Sequence, residues 1–223
     1  MKKGINVLLA VLLICVSLNV FGFEFGGGGP FVMFIPGGTF FNLKNINVPV
    51  LDFPNFEDGI IALGGFGYGG VPGLSYGGGF GFSGEKEVTK DGNKYKLVVS
   101  SGFGGMLRNL SFGSVSLQAG AHFGGIDIEL GRKVNENNTS IGNLEGGTLE
   151  GYLFANISYL AVAFELSLGI KVTNFMELRA GALGIAGYSY DGWLVNNKPL
   201  TGLSDENKFL LMYTIYGGVG FGF

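Results

Sequence analysis

The chain has 223 residues and a net charge of −3; 47% of its residues are hydrophobic, only 14% are charged, and 43 are glycine. This length fits one domain, or one domain with a small extra segment. The slightly negative charge gives no reason for binding to nucleic acid, and the apolar composition does not suit a disordered chain. The glycines follow no Gly-X-Y repeat, so collagen is excluded.

The N-terminus predicts an export signal. Two lysines precede an apolar stretch from Ile5 to Val16, and small or tolerated residues follow up to Gly22. This order is typical of a cleavable signal peptide, and the apolar stretch is too short for a spanning helix. We therefore expect residues 1–22 to be removed. A lipoprotein signal at Cys15 is the alternative, although an isoleucine precedes that cysteine where such signals need a small residue.

Cleavage near Gly22 removes the only cysteine of the chain. The mature protein then forms no disulfide and offers no thiolate to a metal. His122 is the only histidine, so no pair of histidines is available as metal ligands either. We therefore expect neither a metal site nor a cofactor.

Residues 23–58 differ in composition from the rest of the chain. They contain four of its six prolines, at positions 30, 36, 49 and 54. Proline donates no ladder hydrogen bond and avoids central strands. We therefore predict a mostly irregular lead-in or plug segment. Because it is too apolar to extend into water, it is expected to pack on or inside the main body.

From Gly59 onward, apolar residues recur with a period of two. The clearest case runs from Val162 to Val172, where bulky apolar residues alternate with small or charged ones. Such alternation indicates strands, since it cannot form a helical stripe. The segment 111–123 behaves alike, but its pattern changes parity after Gly124-Gly125, which predicts a β-bulge.

The period-two segments predict an all-β fold over residues 59–223: an antiparallel meander that closes into a barrel of about eight strands. Asp91-Gly92 fits a hairpin turn, and further tight turns are expected at 70–73, 108–110 and 173–174. No long helix pattern follows the signal, so strand–helix–strand units are not expected. The predicted strands are 59–69, 74–83, 93–107, 111–131, 145–158, 160–172, 175–190 and 208–223.

The last strand carries a recognisable pattern. Gly218, Phe221 and Phe223 occupy the positions of a Gly-x-x-hydrophobic-x-aromatic ending. With the signal peptide and the alternating strands, this ending resembles bacterial outer-membrane β-barrel proteins, although Tyr216 stands where a polar residue is usual. The resemblance implies that the barrel-assembly machinery reads these three residues as an assembly signal. It also implies outer-membrane lipid as the surroundings of the chain.

A membrane barrel turns its apolar residues outward and its small or polar residues inward. Glu165 and Lys171, with Glu177 and Arg179 on the next strand, would then lie inside and pair across strands. His122 belongs to the same polar face, so these five residues form a predicted interior polar cluster. Aromatic residues at strand ends, such as Phe175 and Tyr188, are expected at the membrane interfaces.

His122 also raises the hypothesis of a hydrolase, because a Ser–His pair can activate a nucleophile. The nearest serines, Ser114 and Ser116, lie on the same predicted strand at offsets that prevent contact with His122. We therefore predict a histidine in an interior hydrogen-bond network and a protein that is not an enzyme.

Two observations speak against the membrane barrel. The long predicted connections do not all fall at one end of the barrel, as outer-membrane barrels require. In addition, 12 of residues 59–84 are glycine, which would leave voids unless the lead-in fills them. The expected role is structural, or passage or binding of a small molecule whose identity the sequence does not reveal. The alternative is an exported all-β protein, soluble in the periplasm or attached to the cell surface, that self-associates through Gly-aromatic strands.

Overall fold

The computed structural model describes residues 26–37, 56, 58–71, 75–134, 151–195, 198–200 and 208–222. The predicted signal peptide, most of the lead-in and Phe223 lie outside these residues. No helix of the described part is long and apolar enough to cross a membrane. The described residues form ten strands: β1 Gly28–Ile35, β2 Ile60–Val71, β3 Ser75–Lys90, β4 Asn93–Phe112, β5 Val115–Val134, β6 Gly151–Thr173, β7 Met176–Tyr188, β8 Leu194–Val195, β9 Lys198–Pro199 and β10 Phe209–Phe221.

Eight of these strands form a closed antiparallel barrel. The sheet runs β5-β4-β3-β2-β1-β10-β7-β6, and a further pairing between β5 and β6 joins its two ends. The short strands β8 and β9 extend the sheet beside the start of β6. The predicted all-β antiparallel barrel of about eight strands is therefore confirmed.

The strand register fixes the tilt of the barrel wall. Asp127 on β5 lies opposite Ser158 on β6. The same row of partners, followed the other way round the barrel, reaches β6 at Leu168, a stagger of ten residues. At ~3.3 Å per residue and ~4.8 Å between strands, this stagger corresponds to a tilt of about 40°. An eight-stranded barrel of this kind is filled by its own side chains.

The strand count is right, but several of the predicted elements are wrong. The segments 145–158 and 160–172 do not form two strands, because the described part of both belongs to the single strand β6. The missing strand is β1, which comes from the segment predicted to be irregular. It pairs with β2 on one side and β10 on the other, so the barrel wall begins at Gly28. The turn expected at 108–110 lies within β4.

The inclusion of β1 places the long connections at one end of the barrel. At the other end, Gly113-Ser114 and Asn174-Phe175 form short turns, and only three residues separate β2 from β3. The long connections are 36–59, 135–150 and 189–208. At the same end as the long connections, β3 and β4 run on past β2 to the predicted hairpin turn at Asp91-Gly92, where both residues have positive φ. The arrangement of the long connections therefore no longer speaks against a membrane barrel.

Aromatic rings fill the space beside the glycine-rich strands. Phe80 and Phe103 stack at 5.0 Å, and Phe31 of β1 stacks on Phe66 at 6.3 Å. A Cβ on Gly64 would lie 2.4 Å from the Phe31 ring, so the absence of a side chain there lets the ring fit. Part of the lead-in does fill the glycine-lined space, as a strand of the wall.

The interior has two halves. Toward the long connections it is an apolar core, and toward the short turns it is lined by polar groups and aromatic rings. The outer surface is apolar along most of the wall, as the alternation predicted. The apolar core includes Met33, Ile35, Ile60, Leu97, Val99, Ile126, Ile128, Leu130, Ile157, Ile185, Trp193 and Met212.

Two leucine-to-alanine substitutions test this division between inside and outside. Leu130 is 1% exposed, whereas Leu166 points outward and is 58% exposed. We expect Leu130→Ala to lower the free energy of unfolding by about 2–5 kcal/mol, because it leaves a cavity. Leu166→Ala should cost less than about 1 kcal/mol in detergent, since little packing is lost. Denaturant unfolding of both refolded variants measures the difference; equal costs would contradict the described orientation of the wall.

Candidate functional site

A buried carboxylate, Glu165 of β6, lies at the centre of the polar half of the interior. Side chains from three other strands reach it: the neighbouring β5, β10 beyond β7, and β2 on the opposite side of the barrel. Tyr68 of β2 donates a hydrogen bond to Oε2 at 3.0 Å, and His122 Nε2 of β5 lies 3.0 Å from the same oxygen. Tyr216 of β10 donates to Oε1, the other oxygen. One side chain therefore joins strands on opposite sides of the barrel.

The hydrogen bonds around Glu165 define the role of each partner. An ionised carboxylate only accepts hydrogen bonds, so His122 donates from Nε2. Its other ring nitrogen, Nδ1, has no hydrogen-bond partner among the described residues. Ser167 lies 3.3 Å from Glu165 Oε1 and completes the shell. Hydrogen bonds to a charged acceptor are the strong ones, which offsets the cost of burying this carboxylate.

A second carboxylate, Glu177 of β7, lies nearer the short turns. Arg179 donates to its Oε1 from Nε at 3.2 Å and from Nη2 at 3.1 Å. Ser116 donates to Oε2 at 3.3 Å, and Gln118 Nε2 lies 3.4 Å from Oε1. The ion pair is fully enclosed, since both side chains are 1% exposed.

The two carboxylates belong to one network. Ser167 Oγ lies 3.4 Å from Gln118 Oε1 as well as 3.3 Å from Glu165 Oε1, so it links the two shells. Arg179 also lies over the Phe66 ring, 4.4 Å from its centroid, in a cation–π contact. We call this set the luminal network: Tyr68, Ser116, Gln118, His122, Glu165, Ser167, Glu177, Arg179 and Tyr216.

The structure brings together four of the five residues of the predicted interior cluster. His122, Glu165, Glu177 and Arg179 are all buried. Lys171 is exposed, so its assignment to the interior is wrong. It lies near the end of β6, next to an irregularity in the pairing with β7, and faces Glu177 in register. The carboxylate of Glu177 bonds to Arg179 instead, two residues along its own strand.

Sequence reasoning missed the two tyrosines of the network. Tyr216 was noted only because it replaces the polar residue usual at that point of the closing strand. Its hydroxyl supplies the polar group after all, directed at Glu165. Tyr68 is 97 residues from Glu165 along the chain, and no local pattern connects the two.

The expected assembly residues are only partly described. Gly218 lies in β10 opposite Phe31 and Arg179, and a Cβ there would be 2.6 Å from the Pro30 carbonyl oxygen. Phe221 is exposed on the outer wall. Phe223 lies outside the described residues.

The luminal network leaves little room for a substrate beside it. His122 has Glu165 as its hydrogen-bond partner, and the hydroxyls of Ser116 and Ser167 bond to carboxylates. The cavity beside the network has a volume of about 10 Å³, which is the space of about one water molecule. Within the described part of the chain, no three histidine, cysteine, aspartate or glutamate residues are grouped as metal ligands.

Comparisons with protein-family models and with curated protein sequences found no match to this chain.

Removal of the central carboxylate tests the network. Glu165→Ala leaves the donors Tyr68, Tyr216 and His122 buried without their acceptor, so we expect the free energy of unfolding to fall by about 3 kcal/mol or more. Lys171→Ala is the matched control, since an exposed substitution costs about 0.5 kcal/mol or less. Both values come from denaturant unfolding of the refolded barrel. A large effect of Lys171→Ala would restore its predicted place in the cluster.

Proposed function

We propose that this protein is a bacterial outer-membrane β-barrel with a closed interior and a structural role. The observation that carries the proposal is the apolar outer wall. Large hydrophobic side chains are exposed on every barrel strand except β3, whose outward positions carry glycine and polar residues, and they are far more numerous than the scattered apolar residues of a soluble surface. At the alternate, outward positions of β6 from Leu160 to Val172, every side chain is apolar. Lipid is the solvent that suits such a wall.

The dimensions of the apolar wall support the same proposal. With a tilt of about 40°, the stretch from Leu160 to Val172 covers about 30 Å of height, close to the hydrocarbon thickness of a bilayer. Exposed aromatic residues stand at both ends of this belt, as in outer-membrane barrels. They are Tyr190 and Phe209 near the long connections, both in ring contact with the half-buried Tyr188, and Phe112, Phe175 and Phe221 near the short turns.

The connections supply an orientation. Outer-membrane barrels have short periplasmic turns and longer loops outside the cell. The turns at Gly113-Ser114 and Asn174-Phe175 would therefore face the periplasm. The extended β3–β4 hairpin and the long connections would then face the outside. The C-terminal strand ends on the periplasmic side, where the barrel-assembly machinery would read Gly218, Phe221 and Phe223.

The filled lumen favours a structural role over passage of a small molecule. The apolar core occupies one half of the interior and the luminal network the other. Described side chains thus leave a cavity of only about 10 Å³ beside the network. We therefore propose a non-enzymatic barrel that anchors its outward-facing hairpin and connections in the membrane.

Membrane residence is tested by expressing the full-length chain in a two-membrane bacterium. We expect the protein in the outer-membrane fraction, extractable only with detergent, and with faster migration on a detergent gel before boiling than after it. Deletion of Phe223 should reduce the amount of the heat-shifted band. A protein released from the periplasm without detergent and without a heat shift would support the alternative of an exported, self-associating β protein.

A second test uses the depth of the belt. Phe164 is exposed at mid-height, and Phe175 is exposed at a short turn. On the lipid face, a lysine costs about 2–4 kcal/mol at the membrane midplane and about 0–1 kcal/mol near the interface. Phe164→Lys should thus sharply reduce the heat-shifted barrel in outer membranes, whereas Phe175→Lys should leave it nearly unchanged. In a protein surrounded by water, both lysines would be tolerated and would improve solubility.

A further inference from the structure

The seam between β1 and β10, where the barrel closes on itself, has the least strand pairing of the wall. β1 has only 8 residues, and its partners on β10 are restricted to Gly28 and the stretch Phe31–Phe34. By contrast, β5 and β6 pair without interruption from Val115 to Val134. Free energies of local opening follow such differences in hydrogen bonding and packing.

The interruption in the seam has a chemical cause. Pro30 has no N–H group, so it donates nothing to the ladder, and neither Gly29 nor Pro30 has a paired partner on β10. Toward the long connections, β1 ends at Ile35, and the stretch Phe209–Thr214 of β10 pairs only with β7 among the described residues. Backbone pairing at the seam is therefore both short and broken.

Contacts inside the lumen compensate for the weak seam. The Phe31 ring of β1 lies between two rings of the neighbouring strands, 6.3 Å from Phe66 and 5.4 Å from Tyr216. Tyr216 and Tyr68, from the two strands that flank β1, both donate to Glu165. The strands on either side of β1 are thus tied to β6 across the barrel.

We propose that the β1–β10 seam is a lateral opening of the barrel, and that the Tyr216–Glu165–Tyr68 tie is the device that holds it closed. In this device β1 and the facing edge of β10 separate while the rest of the wall keeps its pairing. The site that opens lies next to the aromatic cavity behind Phe31, which is lined by Phe66, Tyr68, Glu165 and Tyr216. This inference goes beyond the structural role and does not depend on the membrane in which the barrel resides.

Amide hydrogen exchange, read by mass spectrometry on the full-length chain refolded in detergent, tests the proposal. We expect peptides of β1 to exchange at least tenfold faster than those of β5 and β6. Tyr216→Phe removes one hydrogen-bond donor to Glu165. Amide exchange in β1 and in the facing edge of β10 should then be about tenfold faster than in the unsubstituted protein. Exchange in β5 should stay unchanged.

Ser116→Ala is the matched control. It also removes one hydroxyl from a buried carboxylate, but that carboxylate belongs to Glu177 and neither residue lies on a strand of the seam. We expect amide exchange in β1 to be as fast in this variant as in the unsubstituted protein. Exchange of β1 as slow as that of β5, or equal acceleration of all strands by Tyr216→Phe, would overturn the proposal.

A cross-link covers the case in which Tyr216→Phe does not fold. Val32 and Gly217 face each other across the seam on the outer wall. In a Cys15→Ser background, a disulfide formed by Val32→Cys with Gly217→Cys should slow β1 exchange to the rate of β5, and reduction should restore it. Fast exchange of β1 with the disulfide intact would show that the motion is not an opening of this seam.

Discussion

Closure of the sheet is the constraint on which the rest of the structure depends. A β-sheet surrounded by lipid must satisfy every backbone donor and acceptor within itself, and only a closed barrel leaves no edge. Here closure requires β1, a strand of 8 residues that contains a proline, to join the first long strand to the last. With that strand in place, the long connections 36–59, 135–150 and 189–208 all fall at one end, and the register closes at a tilt of about 40°. Without it, β2 and β10 would each expose an unpaired edge.

Two different kinds of contact fill the interior of this narrow barrel. The half near the long connections is packed with aliphatic side chains, much like the core of a soluble domain. The other half buries two carboxylates: Glu165 accepts hydrogen bonds from β2, β5 and β10, and Glu177 accepts them from β5 and from Arg179 on its own strand. Buried ionic groups add little stability beyond a well-packed apolar core, but they penalise any arrangement that leaves them unpaired. We therefore expect the luminal network to disfavour other strand partners and registers, and it lies directly behind the seam with the least pairing.

Strands with regular apolar alternation could be predicted from the sequence. The luminal network could be predicted only in part, because its contacts join strands that are far apart along the chain. The alternation from Val162 to Val172 indicated both a strand and the face it turns outward. In contrast, outward polar residues such as Ser158, which bonds to Asp127 at 2.5 Å, interrupted the apolar pattern and split β6 into two predicted strands. The rule against proline in strands hid β1, because the ladder breaks locally at Pro30 while the strand continues. Inward-facing polar residues identified Glu165, Glu177, Arg179 and His122, but alternation does not tell where a strand leaves the lumen, so Lys171 was included wrongly. Nothing in the sequence placed Tyr68 beside Glu165.

The central claim is that the outer wall of this barrel faces lipid. A nitroxide label moved one residue at a time along β6, from Ser158 to Val172, in the protein reconstituted in lipid bilayers tests it directly. Accessibility to oxygen, which dissolves in lipid, is then compared with accessibility to a water-soluble nickel complex. The account predicts oxygen accessibility with a period of two, high at Val162, Phe164, Leu166 and Leu168, and low accessibility to both reagents at the alternate, buried positions from Tyr159 to Gly169. High accessibility of the outward positions to the nickel complex would contradict it.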